Sequence, residues 1–311
     1  MGRSWLSILL AASIVALTGC DLEELAGSAR FKEDFHQTHP LKAGGRLYVE
    51  NFNGSVEVTG WDQETADISG TKYAASEQGL SALKIDVVAG PDSVRIRTVK
   101  PSDFRGSMGA KYVIKVPRKV LLERVESSNG SIRVQDIDGT ARLRTSNAGL
   151  NVSRLSGALE GTTSNGGVEL SEIGGPVVVR SSNGGIKAES VRGALEATTS
   201  NAGIHARLAS VEKGRPVKLT SSNGGIELVM DKVEGNEIEA TTSNASITAR
   251  LPGSLAAQVK AHTSNASVSS DFEVTMKGSL GKNQLEGTIG GGGPALTLTT
   301  SNGHIRIEQI R

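Results

Sequence analysis

The chain has 311 residues, a formal net charge of +1 and 38 glycines, while Phe, Trp and Tyr together make up only 3% of it. The near-neutral charge does not indicate the basic surface that nucleic-acid binding requires, so we expect no nucleic-acid partner. The scarcity of aromatic residues argues against an ordinary globular core and suits a narrow core of Val, Ile, Leu, Ala and Thr.

The first 20 residues have the features of a bacterial lipoprotein signal peptide. An apolar stretch from Trp5 to Leu17 is too short to span a bilayer as a helix, and it leads into Leu17-Thr18-Gly19-Cys20. This sequence resembles the lipoprotein box, in which a lipid is attached to the cysteine. We therefore expect residues 1–19 to be removed and Cys20 to anchor the protein to a bacterial membrane. The inner and outer membranes both remain open, and the alternative is an ordinary signal peptide with an incidental cysteine.

No other cysteine is present, so an intramolecular disulfide is excluded. Residues 20–32 lack strand alternation and carry several charges, which favours a tether. Residues 33–118 form a predicted N-terminal β lobe, which includes a first coil around Asn53-Gly54. Within the lobe, alternation predicts strands at 83–88, 94–99 and 112–116, and residues 75–82 suit a short helix.

A repeated turn organises residues 119–311. Ser-Asn followed by two small residues recurs every 18 residues from Asn129 to Asn201, and then at intervals of 22, 21, 21 and 37 residues. Around Asn183, the inward positions are Val177, Val179 and Ser181 before the turn and Ile186 and Ala188 after it. Period-two alternation predicts strands, and the uniform repeat favours parallel pairing between successive coils over hairpins. We predict an all-β fold, a right-handed parallel β-solenoid of roughly 18–22-residue coils.

The turn asparagines are expected to point inward, because they continue the parity of the preceding strand. Stacked coils would then join their amides in a ladder along the axis. A second ladder is expected from the Ser or Thr two residues earlier. Asparagine and glycine would supply the bends through positive φ. The predicted ladder contains Asn129, Asn147, Asn165, Asn183, Asn201, Asn223, Asn244, Asn265 and Asn302.

The excursion at residues 271–294 interrupts the repeat before the coil of Asn302. It contains alternating apolar residues and ends in four glycines and Pro294. We expect it to fold back over the Asn302 coil as a cap, because an uncovered coil exposes unpaired backbone groups.

Catalytic chemistry is not evident in the sequence. His205, His262 and His304 fall on different faces and coils, which argues against a shared metal site, and His36 and His39 could pair in a loop but are interpreted as solvated. None of the serines that precede the turn asparagines has a histidine placed to activate it. Seven outward positions lie five residues before a turn asparagine, and the sign of their charge alternates from Glu196 onward. This alternation favours a structural charge ladder over a glycosidase carboxylate pair. These positions are Arg142, Glu160, Val178, Glu196, Lys218, Glu239 and Lys260. We expect no catalytic residue and no cofactor.

Several phrases together resemble a bacterial family of β-strand-repeat proteins that carries an adhesin label, domain of unknown function 4097. The phrases are the repeated Thr-Ser-Asn-Gly-Gly-Val-Glu-Leu turn, Val-Glu-Asn-Phe-Asn-Gly-Ser-Val from Val49, Lys115-Val116-Pro117, and Leu285-Glu-Gly-Thr-Ile-Gly-Gly-Gly-Gly. The resemblance covers residues 40–311 and implies a cell-envelope β-solenoid without catalytic residues.

We therefore expect a non-enzymatic, lipid-anchored envelope protein that binds an envelope protein or a polysaccharide, or acts as a structural spacer. The alternatives are a polysaccharide-acting β-helix enzyme and an envelope sensor or scaffold for another protein.

Overall fold

The computed structural model describes residues 30–101, 106–276 and 281–310, which form a nearly all-β parallel solenoid. The expected signal peptide, Cys20 and tether residues 20–29 lie outside the described residues. The first strand begins at Phe31, so the folded body includes the last two residues of the expected tether.

The described residues of the lobe, 33–101 and 106–118, contain seven strands and one short helix, the first strand beginning just before them at Phe31. Ser76 caps the helix by accepting a hydrogen bond from the backbone N–H of Gly79. The strands predicted in the lobe correspond to its last three. The elements are β1 (Phe31–Pro40), β2 (Gly45–Asn51), β3 (Val56–Trp61), β4 (Thr65–Ala74), α1 (Glu77–Ala82), β5 (Lys84–Gly90), β6 (Ser93–Val99) and β7 (Met108–Pro117).

The regular stack follows, with one strand on each side of every turn asparagine. Its strands are β8 (Val120–Ser127), β9 (Ile132–Ile137), β10 (Ala141–Thr145), β11 (Leu150–Leu155), β12 (Leu159–Thr162), β13 (Val168–Ile173), β14 (Val177–Arg180), β15 (Ile186–Val191), β16 (Leu195–Thr198), β17 (Ile204–Leu208), β18 (Val217–Thr220), β19 (Ile226–Met230), β20 (Ile238–Thr241) and β21 (Ile247–Pro252). The remaining strands are β22 (Ala257–Thr263), β23 (Val268–Ser270), β24 (Val274–Met276), β25 (Gln284–Ile289), β26 (Ala295–Thr300) and β27 (Ile305–Ile310).

The strands form two facing sheets. The entry sheet contains the strands that lead into the turns together with β5, β6, β24 and β25, in the order β24-β25-β22-β26-β20-β18-β16-β14-β12-β10-β8-β2-β6-β5. The exit sheet contains the strands that leave the turns together with β1, β4 and β7, in the order β1-β4-β7-β3-β9-β11-β13-β15-β17-β19-β21-β27-β23. Successive coils pair in parallel and in register, as Val177 with Leu195 and Val179 with Ala197. The predicted solenoid and its repeat are thereby confirmed.

The core is a continuous apolar layer between the sheets. In the coil that turns at Asn183, Val177, Val179, Ile186, Ala188 and Val191 are at most 1% exposed. A fully buried Val or Ile contributes about 1.5–3 kcal/mol through removal of its apolar surface from water. Because each coil buries such residues only against its neighbours, stability depends on contiguous stacking.

A third corner lies at the end of four exit strands of the regular coils, β9, β11, β13 and β15, at the residue before the last. Here the bend uses non-glycine residues in the left-handed region, Asp136, Arg154, Glu172 and Ser190, with φ between 52° and 59°. The turn glycines of these coils, such as Gly166 and Gly184, are not in that region. The expectation that the Ser-Asn-Gly turns bend through positive φ is therefore wrong for these coils.

The coils do not stack entirely in sequence order. Strand β26 lies between β20 and β22, and β27 lies between β21 and β23. Along the axis, the Asn302 coil is therefore between the Asn244 and Asn265 coils. The expectation that the 271–294 excursion covers the Asn302 coil is wrong: β25 of this excursion pairs antiparallel with β22, which belongs to the Asn265 coil.

Candidate functional site

Buried hydroxyl groups hold each turn from inside. The Ser181 hydroxyl donates to the carbonyl oxygen of Gly166 in the preceding coil, at 3.1 Å, and accepts from the N–H of Gly184 at 2.9 Å. The expected second ladder is thus a set of hydroxyl bridges to the backbone. The equivalent side chains are all buried: Ser127, Thr145, Thr163, Ser181, Thr199, Ser221, Thr242, Thr263 and Thr300.

The turn asparagines form a separate file on the outside of the same corner. Asn183 donates to Oδ1 of Asn165 at 2.7 Å, and Asn201 donates to Oδ1 of Asn183 at 2.6 Å. Side-chain amides join all nine coils in this way, at 2.6–2.8 Å, in the order 129, 147, 165, 183, 201, 223, 244, 302 and 265.

All nine asparagines are exposed, so their predicted inward orientation is wrong. Each entry strand ends at or before the Ser or Thr two residues earlier, and the alternation of a strand does not continue into a bend. The lobe asparagine Asn53 is not part of the file, since it donates to the Met108 carbonyl at 3.0 Å. Each amide in the file retains hydrogen-bonding capacity toward solvent, because an amide has two N–H donors and an acceptor oxygen with two lone pairs.

The outer face of the entry sheet carries paired charges. Arg142 Nε lies 3.5 Å from Glu160, and Lys218 Nζ lies 3.1 Å from Glu239. Glu196 is 2.6 Å from Arg180, which lies on the neighbouring strand of the entry sheet, β14. These carboxylates are therefore neutralised by cations on adjacent coils.

The expected pairing of Glu239 with Lys260 is not formed. Thr297 of the Asn302 coil lies between these residues in the register, and Lys260 is instead opposite Glu286 of β25. The interval of 21 residues between Asn244 and Asn265 gave no sign of this, because it matches the preceding interval.

A row of charged side chains lies at the left-handed corner, and the sequence alone did not reveal it. Asp136 accepts hydrogen bonds from Arg154 at 2.7 and 2.9 Å, which lower the pKa of the Asp136 carboxyl. Arg154 and Glu172 also line a groove of about 470 Å³ together with Asp138, Ser190, Arg192 and Glu212. Alignment of the repeats on their asparagines would have placed Asp136, Arg154 and Glu172 in one column, seven residues after the turn.

The outer face of the exit sheet contains a network that crosses four coils. His205 Nδ1 is 3.0 Å from Glu227, which also contacts Arg250, and Arg250 Nε is 2.9 Å from Glu308. Burial raises the pKa of Glu227, but hydrogen bonds from His205 and Arg250 outweigh it and leave that pKa below its ordinary value. The network joins the Asn302 coil to the earlier coils through Glu308.

One serine that follows its turn asparagine contacts a histidine, which the expectation for the serines before the turns did not cover. The Ser267 hydroxyl is 2.9 Å from Nδ1 of His304, because the Asn302 coil packs directly against the Asn265 coil. Both side chains contribute to an exposed surface contact. His36 contacts Asp67 at 2.7 Å on the outer face of the lobe. Across the described ranges, no group of three or more His, Cys, Asp or Glu is arranged to hold a metal ion.

No helix in the described part of the chain is long and apolar enough to cross a membrane. A sequence model for the family described as Toastrack DUF4097 matches residues 45–308. Among curated proteins, none matches the chain.

Solved structures of low similarity align along most of the chain. A "putative cell adhesion protein" from Clostridium sporogenes ATCC 15579 is 13% identical, with 89% of this chain and 100% of that chain covered and a TM-score of 0.23. A "putative adhesin" from Bacteroides fragilis NCTC 9343 is 14% identical, with 89% and 97% covered and a TM-score of 0.29. A "putative adhesin" from Parabacteroides distasonis ATCC 8503 is 8% identical, with 89% and 97% covered and a TM-score of 0.32.

Proposed function

The chain belongs to the Toastrack DUF4097 family, and from this membership and its surface we propose that it is a non-enzymatic, lipid-anchored cell-envelope protein with an adhesin-like binding role. The solenoid acts as a rod that presents polar faces to an envelope protein or a polysaccharide. A lipid on Cys20 holds the rod at a bacterial membrane. The family match supports the β-solenoid, and the lipoprotein box in the sequence supports the envelope location and the anchor.

The observation that carries the binding role is the exposed asparagine file. Nine amides lie in one row at the strand spacing of about 4.8 Å, and each shares its hydrogen bonds with its neighbours while it keeps donors and acceptors toward solvent. Such a row matches an extended ligand with repeated hydroxyl or amide groups, which describes a polysaccharide chain or the backbone of an extended peptide.

The paired carboxylates of the entry sheet favour binding over polysaccharide hydrolysis. A glycosidase uses two carboxyl groups in distinct environments, one of them with a raised pKa. Glu160, Glu196 and Glu239 instead each lie beside a cation at 2.6–3.5 Å, so their environments are alike and not distinct.

The binding role is tested with a triple variant at the centre of the file, Asn165→Ala, Asn183→Ala and Asn201→Ala. Retention on isolated envelopes and on purified envelope polysaccharide is measured by sedimentation. We expect the triple variant to lose most of its binding, because three adjacent coils lose their outward amides.

The matched control is Arg142→Ala, Glu160→Ala and Val178→Ala, three outward substitutions on adjacent coils of the entry sheet, and it should bind like the unmodified protein. Equal retention of both variants would exclude the asparagine file as the binding surface. Release of reducing ends from the polysaccharide, abolished by Glu196→Gln, would establish the enzyme alternative instead.

A further inference from the structure

Residues Ala295–Ile310 form a coil that is inserted between two coils made earlier in the sequence. Within this inserted coil, Leu296 pairs with Ile238 on one side and Val259 on the other. Ile305 likewise pairs with Ile247 and Val268. The Asn244 and Asn265 coils therefore enclose a slot whose backbone groups are satisfied by a segment distant in sequence.

The connection into the inserted coil crosses over the chain that enters β22. Strand β25 pairs with one edge of β22 and β26 with the other, so residues 290–294 pass from one side of β22 to the other. Gly290, Gly291 and Gly292 have φ of 56°, 75° and 89°. A Cβ on Gly290 would lie 2.4 Å from the carbonyl oxygen of Leu255, so the crossing is also tight. We call residues 290–294 the hinge.

The two coils that enclose the slot are also suited to contact each other. Their asparagines are 21 residues apart, like those of the Asn223 and Asn244 coils, which do stack directly. Glu239 and Lys260 would become adjacent residues of opposite charge, and Ile238 and Val259 would become paired apolar positions. Departure of the inserted coil therefore leaves an alternative set of backbone and side-chain contacts, which lowers the free-energy cost of opening the slot.

We propose that the slot is an interaction surface for a second copy of this chain, with which the inserted coil is exchanged. Each copy then places its residues 295–310 between the Asn244 and Asn265 coils of the other. All strand contacts of the monomer are preserved in such an exchange, and only the hinge changes conformation. An extended hinge no longer needs three consecutive left-handed residues, nor the close approach of Gly290 to the Leu255 carbonyl.

The exchange is tested by disulfide trapping in the full chain with Cys20→Ser. Glu239→Cys and Thr297→Cys introduce thiols at directly paired positions on the outer faces of β20 and β26. After refolding from urea across a concentration series, the monomer should contain only an intramolecular disulfide. The dimer fraction should contain a covalent dimer on a non-reducing denaturing gel. The control pair Arg142→Cys and Glu160→Cys lies in the sequential part of the stack and should close within one chain in both fractions.

A hinge variant provides an independent test. A Cβ at Gly291 meets nothing within 4 Å, so Gly291→Val acts through its positive φ alone. We expect it to shift the equilibrium toward the dimer by about 5- to 30-fold per hinge. Gly214→Val is the matched control, because Gly214 has φ of 73° and equally open surroundings in a turn outside the hinge. Analytical ultracentrifugation measures both dimer fractions.

Covalent dimers from the 239–297 pair together with a larger dimer fraction for Gly291→Val than for Gly214→Val would support the exchange. Intramolecular closure of the 239–297 pair within isolated dimers would overturn it, because the dimer would then use another surface. Equal dimer fractions for the two glycine variants, or no dimer at any concentration, would also overturn it.

Discussion

The buried hydroxyl groups and the exposed asparagine file both stabilise each turn, and their contributions to stability are expected to differ. Ser181→Ala and Asn183→Ala change one coil at positions two residues apart, one inside the corner and one outside. Each variant removes two hydrogen bonds. The difference between the variants therefore reflects what happens to the groups that lose a partner.

Ser181→Ala should lower the free energy of unfolding more than Asn183→Ala does. It leaves the N–H of Gly184 and the carbonyl of Gly166 without their hydroxyl partner, and both groups are partly shielded from water. An unsatisfied buried group costs about 1–3 kcal/mol, so two half-buried groups at the lower end of this range cost about 2 kcal/mol. The asparagine variant frees exposed amides of Asn165 and Asn201 that water can solvate. Its expected cost is about 1 kcal/mol, the lower end for two hydrogen bonds at about 0.5–1.5 kcal/mol each, because water replaces both.

Urea unfolding followed by far-UV circular dichroism measures both variants against the unmodified protein. Comparison of midpoints is valid if the slope of the transition is unchanged. Unfolding of repeat proteins is not always cooperative. Hydrogen exchange of the backbone amides in the Asn165 and Asn201 coils therefore measures the local stability next to each substitution. A loss for Asn183→Ala equal to or greater than that for Ser181→Ala would refute the assignment of the main turn restraint to the buried hydroxyl groups.

Three further predictions follow from the anchor, the charged corner and the cap. Cys20→Ala should move the protein from the membrane fraction to the soluble fraction, and a variant that resists a salt wash at the membrane would contradict the lipid anchor. The pKa of Asp136 is lowered from its ordinary value of 3.8 by the hydrogen bonds from Arg154, so its stabilising contribution is present above pH 3.8 and is lost as pH falls through the lowered folded-state pKa. Asp136→Asn should therefore be less stable than the unmodified protein at pH 6 and approach it in strong acid, as measured by thermal unfolding; a pH-independent difference would argue against the ion pair. Ile289→Asp, which places a charge at a position 2% exposed in β25, should detach the cap from β22 and increase concentration-dependent association in light scattering, whereas the exposed Glu286→Ala should associate no more than the unmodified protein at the same concentrations.

The architecture could be predicted from the repeat because stacked coils must keep equivalent residues in register, and this requirement fixes the period of the sequence. An inward residue such as Val179 must lie over its equivalent one coil away, Ala197, so regular spacing in sequence implies regular register in space. The outward orientation of Asn183 was not predictable from this alternation. The strand ends before the turn, and the direction of a side chain in a bend depends on backbone dihedrals that the pattern does not encode.

The position of the inserted coil could not be derived from the repeat either. Residues 295–310 fit the same template as the Asn244 and Asn265 coils, so the pattern permits every order of these three coils. Their actual order depends on how the 271–294 excursion and its glycines return the chain past β22. The contact of Ser267 with His304 was missed for the same reason, since it exists only when the Asn302 and Asn265 coils are adjacent.

The order of the coils is tested most directly by disulfide formation across the exit sheet at low protein concentration, in a Cys20→Ser background. Arg306 pairs with Thr248 on one side and Ser269 on the other, so Thr248 and Ser269 are two strand spacings apart, about 10 Å. A disulfide cannot join residues whose Cα atoms are more than about 7 Å apart. Thr248→Cys with Arg306→Cys should therefore oxidise readily within one chain, whereas Thr248→Cys with Ser269→Cys should remain reduced. Ready closure of the 248–269 pair would mean that the coils stack in sequence order and that the inserted coil does not lie between them.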